Sequence, residues 1–193
     1  MDASSTFSAA GERVRTAEAL MLAFADRTGV TSARTREQRY LWTDAFAVCN
    51  FLALHRATGS SEHLAHARLL VVHVHDVLGR HRTDASMSGW ISGLGEDEGR
   101  RHPTRGGLRI GKPLPERRAD EPYDEDLEWE RDGQYFHYLT RWMHALARMA
   151  RATGEARYLE WAVELAETAH AAFTYTSAHD GRRRMHWKMS VDL

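Results

Sequence analysis

Apolar residues recur at helical spacing along most of this chain. From Gly11 to Arg27, the positions Val14, Ala17, Leu20, Met21 and Phe24 fall three and four apart, which is one buried stripe of an amphipathic helix. Over 41–58 apolar side chains go all round the helical wheel, with Leu41, Ala45, Val48 and Leu52 on one line and Trp42, Phe46, Cys49 and Ala53 on another. A helix of that kind is expected to be enclosed on most sides. A third helix, over 62–80, carries Leu64, Ala67, Leu70, Val71, Val74 and Leu78 on one face, so its back is expected to face water. The contrast returns downstream. An aromatic helix over 134–153 holds Tyr135, Tyr138, Leu139, Trp142, Leu146 and Met149, and a one-sided partner over 156–174 holds Tyr158, Ala162, Leu165, Ala169 and Phe173. Strand signals are nearly absent, apart from an alternation near Met185 to Val191.

The two helical pairs are versions of one unit. Arg56-Ala57-Thr58-Gly59, followed by His63-Leu64 and Ala67, reappears 95 residues on as Arg151-Ala152-Thr153-Gly154, followed by Tyr158-Leu159 and Ala162. Carried outward, the same offset pairs Val48 with Met143, Phe51 with Leu146, Leu70 with Leu165 and His75 with His170. An αα-hairpin used twice buries its apolar face against its neighbours. The order of enclosed helix, Gly turn and half-exposed helix is what an α/α toroid requires, because inner helices are covered by an outer ring. The expectation is a single all-α domain over 1–193, a partial α/α-hairpin toroid of about five helices.

Between the hairpins, over 81–133, helical periodicity disappears. All four prolines and eight of the fourteen glycines lie there. Trp90, Ile91, Leu94, Leu108, Ile110, Leu114, Tyr123, Leu127 and Trp129 are too many anchors for a solvated linker. An ordered loop covering one mouth of the ring is expected.

Charge narrows the partners. Twenty-six basic and twenty-seven acidic residues nearly cancel and are interspersed, giving a net charge of −1 and no footprint for nucleic acid. No apolar run approaches membrane-spanning length, and Met1 to Ala10 lacks the pattern of a leader, so a cytoplasmic location is expected. The lone cysteine, Cys49, reads as a small buried hydrophobe. The twelve histidines lack ligand spacing: His73 and His75 face opposite ways, and neither His63 with His66 nor His137 with His144 has a third ligand nearby. No metal and no cofactor are called for.

Trp42-Thr43-Asp44, an apolar helix, then Ala57-Thr58-Gly59 and His63-Leu64 resemble the W-x-D, helix, T-G-D, Y-L succession of the six-hairpin glycosidases. The nearest flavour is that of the unsaturated glucuronyl and rhamnogalacturonyl hydrolases, with N-acylglucosamine 2-epimerase-like toroids a looser match. The resemblance covers about ninety residues and implies an (α/α)6 barrel, of which this chain supplies about five of twelve helices. Either the rest of the barrel lies elsewhere in a longer protein, or self-association closes the ring.

The resemblance implies that Asp44 is a general acid and base; read from the residues alone, it caps the second helix. Asp132, before the fourth long helix, is the second carboxylate candidate, with an N-cap as its alternative. Trp42, Trp90, Trp129, Gln134 and His137 are the expected sugar-binding residues, the indoles as stacking platforms or, for Trp90 and Trp129, as loop anchors. The leading expectation is glycoside-hydrolase-like chemistry on a carbohydrate substrate. Its rivals are a sugar epimerase using His137 or His144 as base, and an inactive fragment that binds a partner.

Overall fold

The computed structural model describes residues 3–31, 39–118 and 120–193, and of residues 3–10 only the helical backbone. The leader reading at Met1 and Asp2 and the loop reading at Ala119 lie outside the described residues. Among the described residues, seven α-helices and four short strands follow in the order α1 (Ala3–Arg27), α2 (Leu41–Thr58), α3 (Ser61–Leu78), α4 (Glu96–Arg101), α5 (Glu125–Glu130), β1 (Gln134–Tyr135), α6 (Phe136–Thr153), α7 (Ala156–Phe173), β2 (Thr174–Thr176), β3 (Arg183–Met185) and β4 (Lys188–Met189). The chain is predominantly helical, and none of its described helices is long and apolar enough to cross a membrane.

The duplication is visible residue for residue. α2 and α6 begin 95 residues apart and end 95 residues apart, and so do α3 and α7. Each hairpin turns on a glycine in the left-handed region, Gly59 at φ 72° and Gly154 at φ 74°, whose N–H closes the last turn on His55 O and Ala150 O. Only glycine takes that conformation without strain, so the two turns are built alike. The second helix of each hairpin is then followed by an antiparallel pairing. Residues 79–81 lie against 89–91, and β2 lies against β3.

α2 packs against α3 on one side and α6 on another, α6 packs against α7, and α1 leans on α2. α2 and α6 run in the same direction, since Trp42 meets His137 and Tyr138 at one end and Leu52, His55 and Arg56 share a cleft with Arg148 and Arg151 at the other. One continuous core joins the elements, with Phe51, Leu70, Leu108, Trp142, Leu146, Leu165 and Phe173 fully enclosed. Its polar centre is His75. The ring accepts the Trp142 indole N–H at 3.1 Å and meets Trp161 edge to face, and complete burial pushes its pKa down to about 3.

α2 and α6 are enclosed on most sides, with Thr43, Phe46, Asn50 and Ala53 on α2 and Arg141, His144 and Arg151 on α6 leaving a front face open. Two expectations change. The aromatic helix starts at Phe136, since Gln134 and Tyr135 are pulled into backbone pairing with Met189 and Lys188. The segment between the hairpins is not wholly irregular: its acidic turn Glu96-Asp97-Glu98 opens α4, and Asp124 caps α5 by accepting the Leu127 N–H.

That segment is fastened at three points. Trp90 is buried beneath the Arg80 guanidinium, 4.0 Å above its ring, and so close to Gly99 that a side chain there would enter the indole. Arg109 donates to the carbonyls of Val77 and Arg80 at the end of α3 and to Asp132. Gln134 accepts the Leu108 N–H and donates to the carbonyls of Gly106 and Val191.

Candidate functional site

Tyr40 and Tyr135 stand 95 residues apart, both extended and each the residue before a long parallel helix. The following N–H groups are held from outside: Leu41 N–H by the Ile110 carbonyl and Phe136 N–H by the Trp187 carbonyl. These bonds satisfy first-turn donors that a helix cannot satisfy internally, and they fix the two starts side by side. The side chains of the two first turns therefore meet. Trp42 lies 5.7 Å from His137 and 5.0 Å from Tyr138, ring centre to ring centre, and the Tyr40 and Tyr138 hydroxyls share a hydrogen bond of 2.5 Å.

The remote segments add to this cluster. Trp187, between β3 and β4, stacks on Tyr135 at 5.2 Å with 6° between planes and on His137 at 5.7 Å with 12°. Trp129, at the end of α5, meets Trp187 edge to face at 5.3 Å. Despite these contacts the surface is open: Trp187 is 53% exposed, Trp129 48% and Phe46 45%. Arg141 stretches over Trp42 and Phe46 at about 6 Å. The result is a broad aromatic face with a guanidinium at its border.

The hydrogen bonding at His137 fixes its chemistry. An indole N–H can only donate, so the bond from Trp187 Nε1 to His137 Nδ1 at 3.0 Å leaves the ring proton on Nε2. Burial, and then the charge of Arg141, hold the imidazole pKa below its ordinary value. His137 is thus a neutral ring with one N–H to offer. Burial and the bond to Tyr40 push the Tyr138 phenol well above its usual range, so it too remains neutral.

Of the expected sugar-binding residues, Trp42, Trp129 and His137 come together here. Trp90 and Gln134 do not; both are interior fastenings of the long segment. The two candidate carboxylates occupy different settings. Asp44 is buried, its Oδ2 accepts the Tyr40 N–H at 3.0 Å and its Oδ1 lies 3.7 Å from Arg39, which also donates to the Thr28 carbonyl and so ties α2 to the end of α1. It borders an open cleft of about 850 Å³ with Tyr40, Thr43, Lys112, Arg82 and Asp84. Asp132 lies inside. Its Oδ2 accepts from Arg109 at 2.5 Å, its Oδ1 accepts the N–H groups of Gly111 and Lys112, and Arg82 stands 3.8 Å away.

Trp187, Tyr135 and Arg141 escaped sequence reading as members of this surface. The signal for Tyr135 was present, because the 95-residue offset carried back beyond the hairpin pairs it with Tyr40. The alternation near Met185 to Val191 ran through Trp187, but its place depends on β4 returning to β1, which no local pattern encodes. Among the described residues, no three His, Cys, Asp or Glu side chains converge as a metal site. Compared with known proteins, the chain matches no family model, no curated protein and no solved structure.

Proposed function

We propose that this chain is a carbohydrate-acting domain of glycoside-hydrolase type, an arc of an α/α toroid that holds a sugar against the aromatic face formed where α2 and α6 begin. One observation carries the reading: the exposed indoles of Trp129 on a loop helix and Trp187 in the C-terminal segment gather with the half-buried Trp42 of a helix start into a single open surface at the mouth between two parallel helices. Flat apolar rings present the C–H face of a pyranose with a partner of matching shape, while neighbouring donors bind its hydroxyls. The His137 Nε2–H and Arg141 are such donors. The parallel arrangement of α2 and α6, each backed by its own outer helix, supports the toroid arc, and α1 and α7, at the two ends of that row, expose Leu20 and Leu159 with Val163 where further hairpins or another copy would pack.

The hydrolytic step rests on Asp44, the candidate carboxylate that borders an open cleft, which Tyr40 links to the face through its hydroxyl bond to Tyr138. Asp132 serves the same function at a distance, by clasping the segment that carries Lys112. An epimerase using His137 as base is disfavoured, because the lone pair that would take the proton already accepts the Trp187 N–H.

Binding of soluble polysaccharides in affinity gels tests the reading. Trp187→Ala and Trp42→Ala should each weaken retardation about tenfold or more, as loss of an aromatic anchor does. Unchanged retardation in both would defeat the binding proposal. Asp44→Asn should abolish turnover of an aryl glycoside cleaved by the parent while leaving retardation intact; retained turnover would defeat the catalytic assignment.

A further inference from the structure

The opposite ends of α2 and α6 hold a second feature, independent of the aromatic face. About 14 residues, or roughly 20 Å of helix, separate Trp42 from Arg56. There the last turns of both helices border a cleft of about 590 Å³ formed by Leu52, His55, Arg56, Arg148, Arg151 and Ala152. Every side chain in it that carries or can take a charge is basic.

Acids are missing from the helices that build this cleft. α6 contains none, and the single one on α2 is Asp44, at the far end. Glu155, just past the cleft in sequence, is engaged by Arg68 and Arg157. Among the described residues no ion pair involves Arg56, Arg148 or Arg151.

The helix dipole accounts for part of this. A helix C-terminus is the negative end and favours one basic side chain in its last turn. Arg56 and Arg151, equivalent positions of the two hairpins, fill that role. Arg148 is a turn earlier and half-buried, and its charge acts on Cys49 of α2, outside the cleft. His55 is held by its Nδ1–H to the Ser60 carbonyl at 2.7 Å. Three guanidiniums around one cleft repel one another until an anion lies between them, and the planar guanidinium fork matches the oxygens of an oxyanion.

We propose that this cleft binds a phosphate-type oxyanion through Arg56, Arg148 and Arg151, either as the free ion or as the terminal group of a phosphate monoester. Calorimetric titration of the full chain with inorganic phosphate, and separately with glycerol phosphate, at constant ionic strength tests it. At least one should bind saturably at one site per chain with a dissociation constant of about 1 mM or below. Tighter binding of the ester than of the free ion identifies the monoester as the ligand, and the reverse identifies phosphate. The exchange of Arg148 and Arg151 for Gln together should weaken binding about tenfold or more while the thermal midpoint without ligand holds, because the stems retain their packing. Trp187→Ala should leave both titrations unchanged, which separates this site from the aromatic face. Absence of saturable heat from both probes up to about 10 mM, or full affinity in the double variant, would overturn the proposal.

Discussion

His75 shows how a single buried side chain sets a property of the whole protein. In the unfolded chain it takes a proton below its ordinary pKa of 6.5, whereas in the folded chain burial delays that to about 3. Between those values the unfolded state binds the extra proton, so stability is full above the upper one and falls as pH drops, by about 1.4 kcal/mol per unit from this group. His75→Gln keeps an acceptor for the Trp142 N–H and removes the titration. Denaturant melts from pH 7 to pH 4 should therefore show a smaller loss of stability for the variant than for the parent, and equal losses would rule the mechanism out.

Asp132 is the second residue whose weight is structural. It neutralises Arg109, which itself fastens the end of α3, so Asp132→Ala strands a buried guanidinium and should cost about 3–5 kcal/mol. Pairing Asp132→Asn with Arg109→Met should cost less than the two single changes summed, because the variants share one interaction. Strict additivity in urea melts would show that the pair is not coupled. Asp44 was more legible. Its partner, the Tyr40 N–H, lies four residues back, within reach of a cap that short-range spacing predicts. The partners of Asp132 and Gln134 are 20 to 57 residues away. No local pattern encodes contacts of that kind, and they become visible only when the chain has folded.

At the scale of elements, the hairpins were written plainly in the sequence because two copies of a 3.6-residue period, each broken by a glycine, leave few alternatives. What escaped was the pairing between distant short segments: the alternation near Met185 to Val191 marked the stretch that holds β4, but neither its partner β1 nor the pairing of 79–81 with 89–91 could be read. Two-residue strands are below the length at which alternation can register. The equivalence of the turns makes a paired prediction. Gly59→Ala and Gly154→Ala each force an L side chain into the left-handed region where nothing crowds it, and each should cost about 1 kcal/mol. Closely matched losses in thermal melts would reflect equivalent turns; a large disparity would show that the copies have diverged in how they bear strain.

For the molecule as a whole, the decisive fact is that both hairpins share a core. Phe51 and Leu70 of the first pair and Trp142, Leu146 and Leu165 of the second belong to one apolar cluster, crossed by the Trp142 to His75 hydrogen bond. Neither unit buries its first helix alone, so the described core should melt in one cooperative step, with far-ultraviolet and near-ultraviolet dichroism superimposing. Two separated transitions would mean that the repeats are independent folding units.

The placement of indoles gives the molecule a built-in optical reporter. Trp129 and Trp187, with the half-buried Trp42, make half of its six tryptophans and crowd one surface, while Trp90 and Trp142 are sealed in dry interior. Emission from the first set should sit at long wavelength, quench readily with iodide and shift toward the blue when a ring is laid across it, whereas the sealed pair stays dark to the quencher. Occupancy of that surface is thus readable in cuvette fluorescence without any label, even before a ligand's chemistry is known.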